Sequence, residues 1–157
     1  MEIFFLRRKK AVGKEFLERY SDLQVLDSRY IAGREHIEFA LNQAEKAFEE
    51  GTNISKKLFV EILVRASCQR QIKKALALFS LGSREIVVIC KELPEELSRY
   101  GCQELAEEVF EDKYEGIKEA FEITETEILA VSGEAFHDRV NALKEIIKER
   151  VALVAIG

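Results

Sequence analysis

Proline occurs once in the 157 residues, methionine once, histidine twice and tryptophan not at all. The three cysteines, Cys68, Cys90 and Cys102, are odd in number and form no CxxC pair, which speaks against a disulfide framework or a structural zinc site. His36 and His137 stand in neither an HxxxH nor a CxxH arrangement, so no metal site is expected. Glycine-rich signatures are missing too: there is no GxSxG and no GxGxxG. Gly13-Lys14 resembles the end of a phosphate loop, yet Arg8 occupies its first glycine position. No apolar run reaches the roughly 18–20 residues that span a bilayer, so no membrane association is expected. The apolar stretch Ile3 to Leu6 precedes the basic Arg7 to Lys10, the reverse of a signal peptide, and a cytoplasmic protein with reduced cysteines is expected. Scarce Met and abundant Glu, Lys and Arg lean toward a heat-adapted source, and the single Pro leans the other way.

What is present is a globular composition, 47% hydrophobic and 34% charged, in a chain long enough to bury a core as one domain. Glu2–Arg7, Leu23–Ile31 and Ile86–Ile89 read as strands, the last a continuous β-branched run buried on both faces. Helices are expected over Lys14–Tyr20, Arg34–Glu50, Lys56–Ser67, Gln69–Phe79, Pro94–Tyr100, Lys113–Phe121, Thr124–Val131 and Glu134–Glu149, with Gln103–Glu108 also helix-prone. Gly51 marks the end of the second helix, Pro94 starts a short one, and Thr124 with Glu127 spells a capping box. Core stripes are Ile37, Ala40, Leu41, Ala44, Ala47 and Phe48 on one helix, then Leu58, Phe59, Ile62, Leu63 and Ala66, then Ile72, Ala75, Leu76 and Phe79. Val151–Ile156 is β-prone and could return to the sheet. The pattern is α+β: a small mixed or antiparallel sheet of three or four strands with about seven helices in a single domain spanning 1–157.

Paired carboxylates offer no catalytic signature: Glu107–Glu108, Glu111–Asp112 and Glu125/Glu127 read as solvated helix faces. The charge distribution is more informative. Residues 55–84 hold Lys56, Lys57, Arg65, Arg70, Lys73, Lys74 and Arg84 against one acid, Glu61, in a chain of formal net charge −5. An acidic body with one basic patch excludes general coating of nucleic acid and suits a short anionic partner such as the end of an RNA. Lys57, Glu61 and Arg65 lie four residues apart, and surface salt bridges of roughly 0.3–0.5 kcal/mol each explain them equally well. Arg70, Lys73 and Lys74 have no acid within four residues. Near Cys68 two helices meet, where cations can face phosphates, Gln69 and Gln71 amides can read base edges, and an exposed apolar side chain can stack.

The strings HIEFALNQA (His36 to Ala44), N-I-S (Asn53 to Ser55) and EILVRASCQRQI (Glu61 to Ile72), with Ala75, Gly82, Leu23–Leu26 and Glu149–Leu153, closely resemble one family. It is the kinase-binding, tRNA-recruiting accessory subunit of the KEOPS complex (the TPRKB-like family, archaeal type). The resemblance implies a subunit without catalysis or cofactor of its own. Its complex makes threonylcarbamoyladenosine at tRNA position 37. The subunit docks on the small atypical kinase subunit, meets other KEOPS subunits indirectly and, in archaea, holds the single-stranded CCA 3′ end of tRNA. Carried over by position, the RNA-binding candidates are Lys57, Arg65, Gln69, Arg70, Ile72 and Lys73, with Lys56 and Lys74 as neighbours. The kinase interface is placed on the last helix, at Leu143, Ile146, Ile147 and Val151, which compete with a plain core role. Cys68 departs from the family's usual Gly, so a turn needing positive φ would be restricted there. The alternative is a purely protein–protein regulatory subunit whose basic patch meets an acidic partner.

Overall fold

The computed structural model describes residues 1–105 and 111–156. Four strands, β1 (Glu2–Arg7), β2 (Leu23–Asp27), β3 (Glu85–Cys90) and β4 (Gln103–Glu104), form one antiparallel sheet in the order β2-β3-β1-β4. The β-branched run occupies an inner strand, paired from Ile3↔Ile89 to Leu6↔Ile86 on one side and from Leu23↔Cys90 to Asp27↔Ile86 on the other. Period-two alternation divides the apolar side chains between two faces. Ile3, Phe5, Leu26, Val87 and Ile89 face the larger core, and Leu6, Leu23, Val25, Ile86, Val88 and Cys90 face the smaller one.

The smaller face is covered by α1 (Lys14–Arg19), through Phe16, and by a 3₁₀ helix (Glu95–Tyr100), through Leu97. The larger face carries α2 (Arg34–Glu50), which packs on α3 (Leu58–Ala66) and α7 (Phe136–Leu153), with α4 (Ile72–Leu78) against α3 and α6 (Glu125–Val131) against α7. α5 (Tyr114–Ala120) adds Tyr114 and Ile117 to the same core. α2 ends on Gly51 in the left-handed conformation (φ +68°), a residue that needs no Cβ there. The capping box is complete: Thr124 Oγ1 accepts from the Glu127 N–H, and Glu127 Oε2 accepts from the Thr124 N–H. Among the described residues no helix is long and apolar enough to cross a membrane.

Several expectations are corrected. β2 ends at Asp27 rather than Ile31, because the buried Asp27 carboxylate accepts N–H bonds from Arg29, Gly82 and Ser83 and turns the chain. Gln103–Glu104 is a strand paired with Leu6 and Arg7, not helix, and residues 106–108 lie outside the described residues. Val151–Ile156 does not rejoin the sheet. α7 runs on to Leu153 because Val151 and Val154 continue its buried stripe, and packing overrides β propensity. Phe48, Ile72 and Leu76 leave their expected core stripes and lie on the surface.

Candidate nucleic-acid and partner surfaces

Glu61 and Arg65 are the clearest departure from the surface reading. They are 0% and 1% exposed, and form a buried ion pair one turn apart on α3. Arg65 donates through Nε (2.9 Å) and Nη2 (2.8 Å) to Glu61 Oε1. Glu61 Oε2 accepts from the N–H groups of Ile54 (2.9 Å) and Ser55 (2.7 Å), so both carboxylate oxygens are occupied. The pair therefore ties the loop before α3 to the helix, as buried charges must be paired and hydrogen-bonded to persist. Arg65 is withdrawn as an RNA contact, since a guanidinium held on Glu61 inside the protein cannot reach a phosphate. Lys57 takes no part in the expected bridge and is exposed, with Lys56, at the entrance to α3.

α3 ends in a tight turn. Ser67 Oγ donates to Val64 O and accepts from the Gln69 N–H, while the Cys68 N–H donates to Arg65 O. Cys68 sits at φ +56°, the left-handed region in which a β-carbon is strained. Burial pushes its thiol up to about 12, so it is held protonated rather than as a reactive thiolate. His36 supports this turn from beneath. Its Nδ1 accepts from the Ala32 N–H (3.0 Å) and its Nε2 donates to Ala66 O (2.8 Å), which defines the neutral tautomer. Full burial lowers its pKa to about 4. The imidazole also meets Phe121 edge-on, with centroids 5.7 Å apart.

Beyond the turn, Gln69, Arg70, Gln71, Ile72, Lys73 and Lys74 are all exposed, and α4 buries only Ala75 among its seven residues. Ile72 and Leu76, 37% and 45% exposed, lie one turn apart beside the lysines. No carboxylate pairs with Lys73 or Lys74 among the described residues. Arg70 uses one Nη1 donor on Val154 O, which anchors the turn to the end of α7. Between them opens a cavity of about 310 Å³, lined by Cys68, Gln69, Arg70, Phe121, Glu122 and Arg150 among others. Glu122, which also lines it, is like Cys68 a non-glycine residue with positive φ, +53°. Arg150 donates to Phe121 O and, through Nη2, to Glu127 Oε1 at 2.8 Å, bracing that lining. Phe121, Glu122 and Arg150 lie more than 40 residues beyond the end of α4, so no local spacing could have grouped them with it.

The kinase interface expected on α7 is also corrected. Leu143, Ile146, Ile147 and Val151 are all buried in the main core, because α7 is covered by α2, α3 and α6. Among the described residues, the large apolar side chains left outside on or near that helix are Leu129 and Val131 at the end of α6, Phe136 at the start of α7, and Leu153 and Ile156 at its far end. Val131 is 62% exposed, and the Phe136 ring is held edge-on by Tyr114 at 5.3 Å. Among the described residues, no three His, Cys, Asp or Glu side chains gather as metal ligands would.

The described residues thus present an exposed basic segment at residues 69–74 and exposed apolar side chains at Leu129, Val131 and Phe136 on an α+β domain. The family model "Kinase binding protein CGI-121" matches residues 6–154, and the chain belongs to that family. It is also similar to "Regulatory protein Cgi121" of Methanocaldococcus jannaschii, with 30% identity over 121 residues, covering 74% of this chain and 81% of that protein.

Proposed function

We propose that this chain is a non-catalytic adaptor of the KEOPS tRNA-modification complex, docking on its small atypical kinase subunit and holding the CCA 3′ end of tRNA. The complex would then place threonylcarbamoyladenosine at tRNA position 37. The observation carrying the RNA role is the surface of α4. Ile72 and Leu76 lie exposed beside lysines that no carboxylate pairs with among the described residues, a combination suited to stacking bases while neutralising phosphates. Gln69 and the adjoining cavity supply amide and guanidinium donors beside that stacking surface, and the cavity volume lies at the lower end of small-ligand pockets. Lys57, Gln69, Arg70, Ile72 and Lys73 stay as contacts. Arg65 becomes the residue that shapes the platform from within.

The kinase role rests on family membership, and Leu129, Val131 and Phe136 form the face assigned to it. An exposed aromatic already fixed by Tyr114 loses little side-chain freedom on binding. The test is a titration of intact tRNA against tRNA trimmed of CCA, with and without the kinase subunit. Trimming is expected to weaken binding at least tenfold. Lys73→Glu/Lys74→Glu should abolish RNA binding while shifting the melting temperature by no more than a few degrees, and Val131→Asp/Phe136→Ala should weaken kinase binding only. Equal affinity for intact and trimmed tRNA would leave the purely protein–protein reading in its place.

A further inference from the structure

The basic run Arg7 to Lys10, unused by either surface above, sits where β1 leaves the sheet. Arg7 and Lys113 share the carboxylate of Glu85, at 2.8 Å and 3.0 Å, so one acid answers two cations there. Arg8 continues beside the sheet: its N–H donates to Arg84 O at 2.8 Å, and its guanidinium grips Ser83 O through Nε and Nη2 at 3.1 and 2.8 Å. That fork fixes the Arg8 head while leaving Nη1 for another partner. The N–H groups of Lys9 and Lys10 both donate to Tyr100 O at 3.2 Å, and the Lys9 stem lies against Gly101, where an added Cβ would come within 3.1 Å of it. The backbone under these charges is thus fixed, while Lys9, Lys10 and Arg84 are exposed. No carboxylate pairs with Arg8, Lys9, Lys10 or Arg84 among the described residues. The nearest acids on the paired strands are Glu85, already occupied, and Glu104, opposite Leu6.

The run is linked to α4. Arg29 lies against Gly82, donates from Nη2 to Ser80 O at 3.5 Å, and has a side chain 46% exposed. α4, about 10 Å long by its seven residues, carries Lys73 and Lys74 at its start and leads through Ser80 and Gly82 to Arg84, whose carbonyl takes the Arg8 N–H, while Arg29 beside that loop is paired with Asp27. Two separate groups of cations, Lys73 and Lys74 on α4 and Arg8, Lys9, Lys10 and Arg84 at the sheet end, on a net-acidic body match a polymer with repeated charge better than a compact anionic site.

We infer that Arg8, Lys9, Lys10 and Arg84 form a second, sequence-independent contact for the phosphate backbone of the RNA whose 3′ end lies on α4. This rests on the end-holding reading given under Proposed function, and extends it from the terminal nucleotides to the duplex or strand behind them. Phosphate contacts of this kind position an RNA without reading its bases.

The test compares wild type with Lys9→Ala/Lys10→Ala/Arg84→Ala on two RNAs, a full tRNA and a short single strand ending in CCA, with Kd measured between 50 and 200 mM salt. For the tRNA the triple variant should give a log–log salt slope shallower by about 2–3. Affinity would then change roughly 16- to 64-fold less across that range. The short strand should bind both proteins alike. Superimposed tRNA curves for variant and wild type would overturn the inference, as would equal weakening on both RNAs or a loss confined to kinase binding. If the short strand fails to bind wild type while tRNA binding still depends on the three cations, the end-holding reading fails and the second contact stands.

Discussion

Lowering the pH from 7.5 to 5 should weaken the fold through a single side chain, His36. In the folded protein its pKa is lowered to about 4 from 6.5, because full burial disfavours the charged ring and outweighs the bond to Ala66 O, which favours it. The folded state therefore resists a proton that the unfolded state accepts. Stability is complete above pH 6.5, declines as pH falls through 6.5, and the loss levels off only below about 4. With those two values the loss is about 2 kcal/mol by pH 5, a large part of a typical domain stability of about 5–15 kcal/mol. The contact explains the sign: a protonated Nδ1 would point its hydrogen at the Ala32 N–H, donor against donor. The carboxylates whose pKa is lowered, Asp27, Glu85 and Glu127, act at the acid end, losing their advantage as pH falls past about 4.5, so the window from 6.5 to 5 belongs to His36. Urea unfolding at half-unit pH steps measures it, with His36→Gln as the control. The variant should be weaker by about 1–3 kcal/mol at pH 7.5, yet flat across the window. A flat wild-type profile, or a slope that survives in His36→Gln, would refute the reasoning.

Glu61→Gln should destabilise the protein by about 3–5 kcal/mol, because it leaves the buried Arg65 charge uncompensated, whereas Glu61→Leu/Arg65→Met should cost markedly less. Thermal melting of the three proteins checks this, and a single variant as stable as wild type would mean the pair is not buried as described. Cys68→Gly should raise stability by about 0.5–1 kcal/mol, the relief of left-handed strain exceeding glycine's entropic cost. A lower urea midpoint for that variant would show that the thiol's packing outweighs the strain.

Much of the fold was legible because it is set by short-range patterns. The α2 boundaries follow from the Arg34–Glu50 periodicity and Gly51, the inner strand from its β-branched run, and α6 from the Thr124/Glu127 box. The misread segments are those where distant contacts decide. Asp27 ends β2 by binding a loop more than 50 residues away, and Val151 to Ile156 follows the packing of α7 instead of its own β propensity. At the site, the cationic character of 69–74 could be read from residue types alone, since charge density is local, whereas the constraint at Cys68 followed from the resemblance, whose pattern has Gly there.

Which cations face outward could not be read that way. A three-to-four-residue spacing puts Lys57, Glu61 and Arg65 on neighbouring turns without saying whether those turns face water or protein. Packing of α3 between α2 and α4 buried Glu61 and Arg65, and the same packing left Ile72 and Leu76 outside. Periodicity likewise marked Leu143, Ile146, Ile147 and Val151 as an apolar stripe, but only the presence of α2, α3 and α6 around α7 made that stripe core. The sequence by itself determined the α+β class, the family and the basic segment, all properties of composition and local order. Tertiary structure alone decided which of those charged and apolar groups remain available to a partner, because burial is a property of what the rest of the chain places on top of them.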